Sequence, residues 1–324
     1  MKTNAIKLVL LLIGTVYVLT TYTIAAPVKN KVNLSKTFNL AGERSTEIQY
    51  FKMESNVTTY DLDGTRNKYT TLRLYLKVVP SKSSGGPGDE YTCLRFSIQE
   101  NDAPKIEIPA LKDWVHNFGD IGIDDKGQVF GIDHHKFENL TDDNGNVLDT
   151  DQRYSIYNAF IDFHGFCDLF AQPSPSGNGI QHLSNIGDTI VHAAAFTEAP
   201  VNLGNEIREG SIFKNGEITL NFKGISTIDD NLCALIEYDS GESSFKMLMQ
   251  PAPNFEIKTI GSSHYFGDIY KNLKSNWIQK VILKEFVVSE TIIPAPASNI
   301  INAVIEREII INNIKETDLS ESIN

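Results

Sequence analysis

Paired cysteines are missing from this sequence. Its 324 residues include three cysteines, Cys93, Cys167 and Cys233, and none belongs to a C-x-x-C pair. That excludes a zinc knuckle and a thioredoxin-like redox motif, and the odd count allows at most one intramolecular disulfide. Each cysteine sits in an apolar run, so all three read as buried thiols. Positive charge is also scarce, with 29 Lys and Arg against 41 Asp and Glu and a formal net charge of −12. A chain this acidic repels phosphate backbones and anionic lipid, which argues against nucleic acid and the membrane surface as partners. Divalent cations and cationic partners stay electrostatically open. The H-E-x-x-H, H-x-H and G-x-S-x-G signatures are absent too, so the common metalloprotease and serine hydrolase templates find no footing. The residues indicate no particular cofactor.

What is present begins at the N-terminus. Lys2 and Lys7 make a basic start, Leu8 to Leu19 is almost wholly apolar, and Thr23-Ile24-Ala25-Ala26 supplies small residues at a cleavage position. This order is that of a secretory signal peptide, residues 1–25, and it predicts a secreted or otherwise extracytoplasmic mature chain. An uncleaved anchor is the competing reading and would make a surface protein, since Leu8 to Ala26 is uncharged for 19 residues and a span needs about 20. Threonines and a glycine dilute the run, which favours cleavage.

Strand signals dominate the rest. Leu72, Leu74, Leu76 and Val78 alternate with polar neighbours, as do Leu94, Phe96 and Ile98, and Ile218, Leu220 and Phe222. Similar runs hold Val281, Leu283, Phe286 and Val288, and then Ala303, Ile305, Ile309 and Ile311. Period two with β-branched and aromatic enrichment predicts half-buried strands. Turn chemistry separates them at Asp63-Gly64, Asn144-Gly145, Asn215-Gly216 and Asp239-Ser240-Gly241. Helical signals are confined to Leu111 to Phe118 and part of 152–200. The fold predicted is mainly β, with two antiparallel β-sandwich or β-barrel domains at 40–150 and 188–314. A short helical or irregular bridge, 151–187, joins them, and 315–324 reads as a flexible acidic tail. Ala103 to Ile108 matches Ala252 to Ile257 at four of six positions, and Phe118-Gly119-Asp120-Ile121 recurs at Phe266-Gly267-Asp268-Ile269. Order-preserving matches at nearly one offset, 149 and 148 residues, with Phe137 against Phe286 among them, suggest a tandem duplication and hence an internal repeat.

Residues 154–200 are where chemistry is most plausible. Read as a strand, Ala159, Ile161, Phe163, Gly165, Cys167 and Leu169 form one apolar face, and Asp162, His164 and Asp168 share the other. Read as a helix, Ile156, Phe160, Phe163, Cys167 and Phe170 form a stripe instead. The strand reading sorts more of the residues. It would aim Asp162 and His164 the same way, as a catalytic acid–base pair or part of a metal site. His182, Asp188 and His192 follow closely, and with His164 they would make a metal-ligating set of histidines and a carboxylate. The simpler reading is an Asp–His pair that satisfies its own hydrogen bonds in a β core. The acidic stretch Asp142 to Asp151 lacks the spacing of an EF-hand and reads as a solvated turn. Two functions follow. The first is a secreted, non-enzymatic β-rich protein that binds a small ligand, glycan or protein partner, with Tyr265, Tyr270 and Trp277 as possible stacking residues. The alternative is a secreted metal-assisted or acid–base hydrolase centred on Asp162 and His164.

Overall fold

The computed structural model describes residues 33–81, 89–117, 132, 134–175, 177–200, 207–296 and 298–323. The signal segment and the first FGDI copy lie outside them. Strands β1 (Gln49–Tyr60), β2 (Arg66–Val79) and β3 (Glu90–Glu100) form a meander, with the short β4 (Ile106–Glu107) and β5 (Trp114–Asn117) both paired to β3. Helix α1 (Thr150–His164) follows, continued by a π turn over Gly165–Leu169. Short strands β6 (Thr189–Val191), β7 (Glu198–Pro200) and β8 (Ile212–Lys214) lead into β9 (Thr219–Ile228), β10 (Asn231–Asp239) and β11 (Ser243–Ala252). Three long strands, β12 (Phe255–Asn272), β13 (Ile278–Ile293) and β14 (Asn299–Ile314), precede a terminal helix α2 (Glu316–Ile323).

The pairing is antiparallel throughout, in the order β4-β3-β2-β1-β14-β13-β12-β10-β9-β6, with β11 added to the far end of β12. The mainly β class is therefore as expected, but a division into two domains is not seen. β14 pairs with β1 from Tyr50↔Ile314 to Tyr60↔Val304, which joins the two strand blocks, and Ser35–Asn324 forms one compact unit. On the edge opposite β13, β12 changes partner, pairing with β11 through Ser263 and with β10 from Phe266 onward. Gly267 sits at that exchange with φ +152°, and a Cβ there would lie 2.2 Å from the Ile282 carbonyl oxygen. Only glycine fits.

Strand parity explains the core. Leu72, Leu74, Leu76 and Val78 are all buried on one face of β2, as their alternation predicts. β3 departs from the simple pattern, because its register against β2 shifts between Tyr75 and Leu76. The bulge lets Tyr91 and Cys93 join Phe96 and Ile98 in the core, and Leu94 drops out of the buried row. On β13 the inward row is Val281, Leu283, Glu285 and Val287, so Phe286 and Val288 point outward, contrary to the expected run. All three cysteines are free and buried.

Other expectations need correction. Of the helix expected at Leu111 to Phe118, the described residues 111–117 are not helical: a 3-10 turn over Pro109–Leu111 ends and β5 begins at Trp114. The tail folds as α2, with Leu319 buried. The strand reading of Ala159 to Phe170 is also overturned. Asp149 caps α1 in a reciprocal capping box with Gln152, and the helical stripe Ile156, Phe160, Phe163, Cys167 and Phe170 is buried. This helix crosses the sheet face. Phe160 stacks on Phe96 of β3 at 5.8 Å, Phe163 meets Phe51 of β1 at 5.3 Å, and Phe166 meets Tyr238 of β10 at 5.1 Å. Trp277 is buried rather than displayed, and Arg44 lies 4.0 Å over its ring. For the duplication, Ala103 and Ala252 both lie at hairpin turns, but Phe137 sits in a 3-10 turn and its counterpart Phe286 in β13.

Candidate functional site

Each residue of an α-helix turns by about 100°, so two residues apart means nearly opposite sides. Asp162 and His164 accordingly leave α1 in different directions and join separate buried networks. Asp162 accepts a hydrogen bond from Arg307 of β14 at 2.7 Å, and the same guanidinium donates to Glu285 of β13 at 2.8 Å. Ser263 of β12 donates to the other Glu285 oxygen at 2.7 Å, and the Tyr265 hydroxyl also contacts Arg307. Two carboxyls thus share one guanidinium inside the sheet. Burial raises Asp162 to about 6 against the pull of Arg307, and raises Glu285 to about 8.

The second network centres on Asp168, one turn after His164. Its carboxylate accepts from Arg44 at 2.8 Å, from the Tyr91 hydroxyl at 2.8 and 2.9 Å, and is 2.8 Å from His164 Nδ1. His164 Nε2 lies 2.9 Å from His116 Nε2 on β5, whose Nδ1 is buried without a partner among the described residues. Burial would lift the Asp168 carboxyl, but Arg44 and His164 overcome it and hold the group near 2. Burial drives His116 down to about 3, with His164 adding to the effect. His164 and Asp168 stand four residues apart and so share one side of the helical turn, while the Arg44 guanidinium reaches the Cys167 carbonyl. Lys271 of β12 is buried nearby and donates to the Ala171 carbonyl; burial, and then Arg44, lower it to about 7.

The remaining residues of the expected metal set have other partners. His182 is exposed, and Asp188 accepts from the Ser184 and Asn185 amides at 2.8 and 2.7 Å as a loop cap. His192 is buried against Phe170, its Nδ1 accepting from the Ala194 amide at 3.1 Å, and burial lowers it to about 4. Among the described residues no group of three or more His, Cys, Asp or Glu could hold a metal ion. The acidic stretch is a turn and a cap, with Asp142 accepting from the Asn144 and Asn146 amides.

Sequence reasoning missed Arg44, Tyr91, His116, Lys271, Glu285 and Arg307. A signal existed for two of them. Glu285 lies between Leu283 and Val287, and Arg307 between Ile305 and Ile309, so each interrupts an inward row with a charge. Opposite charges in the apolar phase of neighbouring strands imply a buried pair.

No family model and no curated protein matches the chain. Among solved structures the chain is similar to Pseudomonas aeruginosa OccK2 (OpdF), solved in complex with glucuronate. The identity is 6% and the TM-score 0.14, with 87% of this chain and 99% of that chain covered. A likeness that slight carries no argument about fold, ligand or location. No helix of the described residues is long and apolar enough to cross a membrane.

Proposed function

We propose that this chain is an exported, non-enzymatic binding protein whose ligand, a small molecule, glycan or segment of a partner, is taken by the sheet and its loops. The observation that carries this reading is where the ionisable groups of α1 are spent. Asp162 is tied to Arg307, and Asp168, in the π turn that continues α1, to Arg44, Tyr91 and His164, in contacts that reach β14, β3 and the segment before β1. Groups held this way hold the fold together, and both Asp168 oxygens are already engaged. Export rests on the basic, apolar and small-residue order of the first 26 residues. The test is a thermal-shift screen of sugars, organic acids and phosphate esters, followed by NMR of the recovered ligand. A raised melting temperature with the ligand returned unchanged supports binding; turnover of the ligand, or no stabilisation by any compound, refutes it.

One observation favours the hydrolase alternative. Asp168, His164 and His116 form a hydrogen-bonded chain that ends on an unpartnered imidazole nitrogen, an arrangement able to move a proton. Hydrolysis of an ester or glycoside lost in both His164→Ala and His116→Ala would move that reading to first place.

A further inference from the structure

The face of β12–β14 turned away from α1 is apolar where a solvated sheet face is ordinarily polar. Parity on β13 turns Glu285 and Val287 toward α1, so Phe286 and Val288 stand on the outer face. Phe286, Val288, Ile260 and Ile300 are 42%, 54%, 36% and 57% exposed, and Phe266 stacks on Phe286 with ring centroids 6.0 Å apart. Register joins them into one strip: Val304 lies beside Val288, Ile260 beside Glu290, and Ile300 beside Ile292. From Phe286 to Val304 the chain holds 19 residues and a single charge, Glu290. The other charges form a rim of mixed sign, with Lys258 on β12, Lys284 on β13, and Glu306 and Glu308 on β14. Lys258, Lys284, Glu290 and Glu308 make no ion pair among the described residues. An apolar centre inside a polar rim is the make-up of a protein interface.

We propose that this face binds a second copy of the chain, sheet against sheet, about a twofold axis. The second copy brings the same rim, so lysines of one can meet glutamates of the other while Phe286, Val288 and Ile260 leave water together. An anionic lipid surface offers the same glutamates only repulsion, in a chain whose net charge is −12. Between Lys284 and Ile292, with β1 or β11 as a fourth strand at either end, strand geometry gives a face of roughly 27 by 19 Å, about 500 Å². With side-chain relief added, that approaches the roughly 600 Å² per partner of the smallest specific interfaces, so the dimer is reversible and dissociates in the micromolar range.

Sedimentation equilibrium of the purified chain from low to high micromolar concentration tests this. The mass is expected to climb from monomer to dimer. Val288→Glu puts a carboxylate at the centre of the strip and Phe286→Ser removes its largest exposed side chain, and each should weaken the dimer by about tenfold or more. Val147→Glu, at a 73% exposed position in the turn before α1, should leave it unchanged. Melting temperatures establish that the variants are folded. Where Val288→Glu is not, Lys284→Glu on the rim takes its place and should weaken the dimer about threefold. A monomer at every concentration overturns the proposal, as does a dimer that Phe286→Ser and the folded charge variant leave intact. Flotation with vesicles of phosphatidylcholine and phosphatidylglycerol tries the rival occupant. A monomer that floats with them, and no longer does so as Phe286→Ser, assigns the face to a membrane and overturns the second copy.

Discussion

Replacing Arg307 by Met takes away the guanidinium that two buried carboxyls share and keeps much of its bulk. Asp162 and Glu285 lie 2.7 and 2.8 Å from it, and all three side chains are less than a tenth exposed. Removing one partner of a buried ion pair costs about 3–5 kcal/mol, because the charge left behind is neither solvated nor paired. In a chain of this size each kcal/mol moves Tm by about 2–4 °C, so a fall of roughly 10 °C is expected at pH 8. The loss should depend on pH. Burial raises Asp162 to about 6 and Glu285 to about 8, above the ordinary values of 3.8 and 4.5. The stability tied to their protonated forms is therefore complete below about pH 4 and is lost as pH rises through 6 and then 8. Without Arg307 both groups hold their protons more tightly, and an uncharged carboxyl needs no guanidinium. The cost of Arg307→Met should thus shrink to about 1 kcal/mol at pH 5. Adding Asp162→Asn and Glu285→Gln should restore most of the stability at pH 8. Urea unfolding followed by tryptophan fluorescence at both pH values measures all of this. Wild-type stability of Arg307→Met at pH 8, or an equal loss at both pH values, refutes the reasoning.

Three further outcomes are expected. His164→Ala removes one donor from Asp168 and should cost about 1–3 kcal/mol in the same urea assay, while zinc and chelator leave the wild-type melting temperature unchanged; a zinc-dependent rise lost in the variant would speak for a metal site. Asp168 is held near 2 by Arg44 and His164 against burial, so its contribution is present above about pH 4 and lost as pH falls through 2; acid titration by circular dichroism should show that limb in the wild type and not in Asp168→Asn. Export predicts that the secreted protein begins at Ala26 or Pro27 on N-terminal sequencing, and an intact Met1 in a membrane fraction contradicts it.

Much of the sheet is legible from local alternation, and the inward row Leu72, Leu74, Leu76 and Val78 of β2 reads correctly. The joining of β1 to β14 is not, because Tyr50 and Ile314 are brought together by the closure of the sheet and nothing near either residue announces it. That missing long-range pairing is why one compact unit reads as two domains. Helix α1 is misread for a different reason. It is apolar on several sides and its charges are buried too, so period two and period 3.6 fit Ala159 to Phe170 about equally well. The capping box at Asp149 and Gln152 is the local feature that separates them. His164 and Asp168 were legible as buried polar groups, but their partners Arg44, Tyr91 and His116 come from three other segments. Pairing across such distances has no sequence period.

Hydrogen exchange with and without a bound ligand tests the central claim most directly, because it reports where binding is felt. With a stabilising compound from the thermal-shift screen present, amides of the sheet and its loops should gain protection, and those of α1 should exchange as before. Protection centred on α1 and β5, around His164 and His116, with the rest of the sheet unaffected, would contradict the account and favour chemistry at the buried histidines.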